Sequence, residues 1–261
     1  MTFPRLHLFE LEDQPWLPGI VRDLATDYLC FIQATFRLYR PILPLLAEAL
    51  RATNQRQIVD LCSGGGGPVL EIQKALSAAG LNISITLTDR FPNSRAFQQI
   101  EEASGKQITF VRESVDARSI PDQIIGLRTI FNSFHHFRES DARKILLDAV
   151  KAGQPVAIFE YTARAVLIVL LTMVLTPFLV ALATPFIRPF RWSRVVLTYL
   201  LPLVPLTCWW DGVVSQLRAY TIEELKTLTK ELPCGSYCWH SGTVALRRSP
   251  GHLTYLLGRS R

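Results

Sequence analysis

The spacing of apolar positions along this chain changes period several times. Over residues 19–52, Leu24, Tyr28, Ile32 and Thr35 recur every three or four positions. That is the period of an amphipathic helix, and Pro41 divides the stretch into two helices. Five short apolar runs follow, at 57–62, 83–88, 108–111, 128–133 and 155–160. Each reads as a buried strand bounded by turn residues. Helical segments lie between them: 69–79, with Pro68 in its first turn and Gly80 at its end; 93–103, capped by Asn93; and 140–152, capped by Ser140. Strand and helix in this alternation predict a parallel sheet covered on both faces.

The pattern breaks after Arg164. Residues 165–187 carry no charge over 23 positions, enough as a helix to cross the hydrocarbon of a bilayer. Arg188, Arg191 and Arg194 interrupt, and residues 195–210 are again uncharged, though only 16 long and holding Pro202 and Pro205. Alternation then resumes. Thr221 to Glu224 forms a capping box for a helix to about residue 231, and the runs at 239–246 and 252–257 predict an antiparallel hairpin turned by residues 247–251. The chain thus divides into an N-terminal helical segment (1–54), an α/β core (55–164), an apolar insertion (165–210) and the completion of the core (211–261).

Composition sharpens this picture. Apolar residues make up 49% and charged residues 19% of the 261, and the apolar excess lies in the insertion. The net charge is +6, but its Lys and Arg are scattered rather than clustered, which argues against nucleic acid as a partner. Five scattered cysteines do not make a disulfide framework. Cys234 and Cys238 read as strand or core cysteines, and no metal site is predicted. The first residues carry Arg5, Glu10, Glu12 and Asp13 with no apolar run after Met1, so no signal peptide is expected.

The candidate chemistry starts at Ser63-Gly64-Gly65-Gly66-Gly67, between the first strand and its helix. Without Cβ atoms the backbone can approach a ligand, and the helix start offers free N–H groups. Asp89 ends the second strand, where a carboxylate can accept hydrogen bonds from ribose hydroxyls. His135 and His136 follow the fourth strand, at the carboxyl edge of the sheet, with the ring chemistry of a base near neutral pH. His136 is the first choice and His135 the second. Glu160 is a weaker alternative, and Tyr161 and Trp16 are candidates for an acceptor pocket.

The stretch Val59-Asp-Leu-Cys-Ser-Gly-Gly-Gly-Gly67 resembles the first motif of class I S-adenosylmethionine (SAM)-dependent methyltransferases, Asp-x-Gly-x-Gly-x-Gly. Asp60, Gly64 and Gly66 match, and Cys62 replaces the first glycine. Val115-Asp116, the run Phe131 to Phe137 with its His-His pair, and Ala157-Ile-Phe-Glu160 are similar to later motifs of that family in the same order. The resemblance implies a Rossmann-like α/β fold: a seven-stranded, mostly parallel sheet with an antiparallel C-terminal hairpin, here joined by N-terminal helices and an apolar helical insertion. It also implies SAM as cofactor, met by Asp60, Cys62, Ser63, Gly64, Gly66, Asp89, Arg90, Asp116, Ala117 and Asn132.

Because strands lie on both sides of the insertion, its two ends belong on one face of a membrane, the cytoplasmic one where SAM is found. A re-entrant or interfacial hairpin, its arginines reaching lipid head groups and Trp192, Trp209 and Trp210 at the interface, fits better than a spanning hairpin. The expected activity is methyl transfer to a small lipophilic acceptor at a membrane. The alternative is a non-catalytic membrane protein that keeps the fold to bind a ligand or partner.

Overall fold

The computed structural model describes residues 3–232, 237–246 and 251–260. All seven strands form one sheet in the order β3-β2-β1-β4-β5-β7-β6. The strands are β1 (Gln57–Leu61), β2 (Ser84–Leu87), β3 (Ile108–Phe110), β4 (Leu127–Phe131), β5 (Val156–Glu160), β6 (Tyr237–Ala245) and β7 (His252–Ser260). Strands β1 to β5 are parallel to one another, while β7 runs antiparallel to both β5 and β6. β4 and β5 are buried at every position, as expected of central strands covered on both faces.

Two apolar layers cover the sheet. One joins α2 (Leu43–Ala52) and α3 (Val69–Ala78) to Phe97 of α4 (Ser94–Ala103). The other joins α5 (Glu139–Lys151) to α9 (Ile222–Lys230). Asn93 caps α4 by accepting from Ala96 N, and the capping box at Thr221 is complete. The cap expected at Ser140 is not formed. The cap falls two residues earlier, on Arg138, with Glu139 and Asp141 in the first turn of α5, where their charges complement the helix dipole. The first helix, α1 (Gly19–Phe36), ends at Arg37 in the left-handed conformation, before Pro41 is reached.

The insertion forms a helical hairpin. α6 (Val166–Ala183) has a mean hydropathy of 2.7 over 18 residues, and only 11% of it is buried. Its length is about 27 Å. The return arm is α7 (Trp192–Val195), a single π turn, and α8 (Leu203–Arg218), bent by 73° at the break. α8 therefore runs across residue 210 into the core. Leu24, Ala25 and Tyr28 of α1 pack with Val180, Ala183, Ile187, Val204 and Cys208 of the hairpin. Trp209 and Trp210 donate their indole N–H groups to the carbonyls of Met173 and Phe9, while Trp192 is 74% exposed.

The inter-arm arginines do not all face outward. Arg194 is buried, donates to Asp27 Oδ2 at 2.5 Å and to the carbonyls of Ile187 and Pro189, and Arg191 lies 3.4 Å from the same carboxylate. Only Arg188 of the three is exposed. A lone buried guanidinium is costly, so the pair clamps the hairpin's far end onto α1. Asp27→Ala, which leaves Arg194 unpaired, is expected to cost about 3 kcal/mol or more. It should also open the 184–196 turn to proteolysis, as limited digestion and urea denaturation of the variant would register.

Candidate active site

The first βα turn explains itself locally. Asp60 is buried beside Thr129, its register partner in β4. Its two oxygens accept from Thr129 Oγ1 and Ser63 Oγ, both at 2.7 Å. The chain then bends with Cys62 at φ 57°, Gly64 at 55°, Gly66 at 90° and Gly67 at 42°. Cys62 thus takes the left-handed conformation that glycine adopts freely, at a cost of roughly 1 kcal/mol. Gly66 has a second reason to lack a side chain: a Cβ there would stand 2.0 Å from Ile100 Cδ1.

In front of this turn lies a cavity of about 370 Å³ at the carboxyl edge of the sheet. Of the predicted cofactor residues, Cys62, Gly64, Asp89, Arg90, Asp116 and Ala117 line it. Asp89 Oδ2 accepts from Gly64 N and its Oδ1 from Phe91 N, both at 2.7 Å, which holds the carboxylate at the cavity wall with a lone pair on each oxygen for a further donor. Asp116 is bonded by Arg118, which keeps its carboxyl below the usual range.

Four predicted contacts stand behind the wall rather than in it. Asp60 and Ser63 are spent on each other, and Gly66 faces Ile100. Asn132, at φ 49°, accepts the N–H groups of Tyr161 and Thr162 and ties the ends of β4 and β5 together.

The two histidines part company. His135 is 1% exposed and is not part of the cavity wall; its Nδ1 donates to Glu160 Oε2 at 2.6 Å. Glu160 is itself buried, accepting from Phe134 N and Thr162 Oγ1, so it too is withdrawn from the cavity. His136 lines the cavity, with Nδ1 2.9 Å from Asp13 Oδ1 and 3.3 Å from Glu10 Oε2. Burial opposes the charged ring, but Glu10 and Asp13 prevail and push its pKa up to about 10. Burial likewise opposes the charge of Asp13, yet His136 and Arg218 hold its carboxyl well below the usual range. His7 is lowered to about 4, first by burial and then by Arg218 and Arg5. Trp16 is 64% exposed, and Tyr161 packs edge-on to Tyr39; neither lines the cavity.

The residues that sequence reading missed come from the N-terminal strap. His7, Glu12 and Asp13 form one wall of the cavity, beside Arg218 of α8. Three acids within four residues, Glu10, Glu12 and Asp13, were the available signal. Cys234 lies outside the described residues, and Cys238 is exposed on β6.

No family model matches the chain, and no curated protein matches it. Solved structures do. A protein assigned as an O-methyltransferase from Nostoc punctiforme aligns with a TM-score of 0.50 and 13% identity, over 88% of this chain and 59% of that one. The plantazolicin methyltransferase BamL, solved with S-adenosylhomocysteine and a triazolic desmethylPZN analogue, aligns at 0.50 and 12%, over 93% and 99%. A protein assigned as a zinc-dependent alcohol dehydrogenase from Rhodobacter sphaeroides aligns at 0.51 and 14%, over 92% and 98%. This chain spans about three fifths of the Nostoc protein. The likeness establishes the fold: a Rossmann-like seven-stranded α/β domain of the methyltransferase type.

Asp60 supplies a test of the turn. Burial pushes its pKa up to about 7, against hydrogen bonds from Ser63 and Thr129 that pull it down. The folded state then holds a proton that the unfolded chain has released above its ordinary value near 3.9. Unfolding free energy should fall as pH rises from about 4 to about 7 and level off above, by up to about 4 kcal/mol from this group. Urea denaturation across that range should show a shallower decline in Asp60→Asn. An identical slope in both proteins would assign the proton elsewhere.

Proposed function

We propose that the chain is a SAM-dependent methyltransferase acting on the hydroxyl of an amphiphilic small molecule at a membrane surface. The observation that carries the reading is Asp89, fixed by Gly64 N at the wall of a cavity whose other wall holds His136. A ribose diol donating to Asp89, with adenine beside Val115, Asp116 and Ala117, puts the sulfonium toward the His136 side. Methyl transfer is an in-line displacement with a neutral leaving group, so orientation and exclusion of water supply most of the rate. A hydroxyl acceptor must also lose its proton; Glu10 and Asp13 keep the His136 ring protonated near neutral pH, so only its neutral fraction takes that proton, and kcat should rise with pH toward about 10.

The acceptor class follows from two unlike surfaces. The cavity is lined by Asp13, Asp23, Arg22 and Arg218, which suit a polar head rather than a wholly apolar molecule. α8, which carries Arg218, packs along α6, whose apolar residues include Phe178 at 66% and Leu182 at 68% exposure. A molecule with a polar hydroxylated head and an apolar tail satisfies both. The hairpin then lies in the membrane interface, with the α/β core on the cytoplasmic side.

Two expected outcomes test this. Labelled SAM should pass its methyl group to amphiphilic alcohols or phenols presented in vesicles, and His136→Asn should lower kcat by about 10² to 10⁴-fold while leaving SAM affinity intact. Replacing Phe178, Leu182 and Phe186 together by serine should weaken vesicle binding in flotation assays by at least about tenfold. Unchanged flotation would remove the membrane from the account, and transfer confined to water-soluble acceptors would remove the amphiphile.

A further inference from the structure

Behind the cavity wall, Glu10, His135 and His136 bring one carboxylate oxygen and two ring nitrogens within 4.8 Å of one another. Their arrangement resembles no ordinary ion pair. Glu160 can only accept, so the proton of the His135–Glu160 bond sits on Nδ1, and Nε2 is the ring position left to other partners. That Nε2 is buried without a hydrogen-bond partner and lies 3.8 Å from Glu10 Oε1, whose other near contact is the Arg218 guanidinium at 3.0 Å. A buried ring nitrogen left without a partner is costly, and an ion held between it and Glu10 would supply one.

We propose that Glu10, His135 and His136 bind a first-row divalent metal ion. Two imidazoles and a carboxylate are a donor set suited to zinc, iron, cobalt or manganese. Tetrahedral bonds of about 2.1 Å place ligand atoms about 3.4 Å apart. The observed separations are 3.3 Å from Glu10 Oε2 to His136 Nδ1 and 3.8 Å from Glu10 Oε1 to His135 Nε2. Glu160 supplies the outer carboxylate that fixes the ring and tautomer of a metal-binding histidine. Asp13, 2.9 Å from His136 Nδ1, is the natural fourth ligand. Arg218 also touches the cluster, 3.0 Å from Glu10 and 2.9 Å from Asp13. Arg218 and the protonated His136 ring offset two of the three carboxylates, Glu10, Asp13 and Glu160, and an ion would take the place of the His136 Nδ1 proton, so its binding should tighten as pH rises.

The ion would act as a Lewis acid beside His136, lowering the pKa of an acceptor hydroxyl in the cavity. That role rests on the methyltransferase reading; metal binding itself does not, and is measured without SAM or acceptor. Chelator-treated full-length protein titrated with Co²⁺ should show visible d–d absorption saturating at one ion per chain, reversed by Zn²⁺. Glu10→Gln and His135→Gln should each weaken Co²⁺ binding at least about a hundredfold, and Glu160→Gln about ten- to a hundredfold. Asp89→Asn, on the opposite wall, should leave it unchanged. Circular dichroism and thermal melts establish which variants are folded, and the near-isosteric Glu10→Gln decides the matter if His135→Gln is not. Folded wild type that takes up no Co²⁺ at millimolar concentration, or a folded Glu10→Gln that binds as wild type does, overturns the proposal.

Discussion

The chemistry of this protein depends on how helix α8 holds the N-terminal strap across the carboxyl edge of the sheet. Asp211 accepts the N–H groups of Leu11 and Glu12 at 2.6 and 3.0 Å. About two turns further on, Arg218 donates to the Leu8 carbonyl and to Asp13. Arg5 closes the strap from its other end by donating to the carbonyls of Arg218, His135 and Phe137. Without these bonds, Glu10 and Asp13 would not reach the histidines, and the cavity would lose a wall. A strap with little apolar burial of its own keeps its place through these buried polar contacts, each costly to break.

The same helix joins two environments. Its first half packs on α6 in the apolar hairpin, and its last turn reaches into the charged cavity. The core and the insertion are therefore continuous through α8, α1 and the Asp27–Arg194 pair rather than tethered by a linker. A membrane surface that seats the hairpin would also set the orientation of the cavity.

Much of the fold was legible because its signals are local. Seven apolar runs matched seven strands, and the capping box and the Asn93 cap follow from side chains within one turn. The glycine turn and Asp89 were legible for the same reason: they sit at consecutive strand ends. What was not legible depends on register and on distance along the chain. Asp60 reads as a ligand residue until its burial beside Thr129 withdraws it. Arg194 reads as a surface charge until Asp27, 167 positions away, claims it. The strap acids carry no local sign of their role because the partners of Asp13, His136 and Arg218, lie 123 and 205 positions further along the chain. Local periodicity carries no information on such pairs.

The most direct test of the central claim is calorimetric titration of the full-length protein with S-adenosylhomocysteine, wild type beside Asp89→Ala. Saturable binding with a micromolar Kd, lost in the folded variant, is the result this account predicts. Failure of folded wild type to bind at millimolar ligand, or equal binding by both proteins, would contradict it.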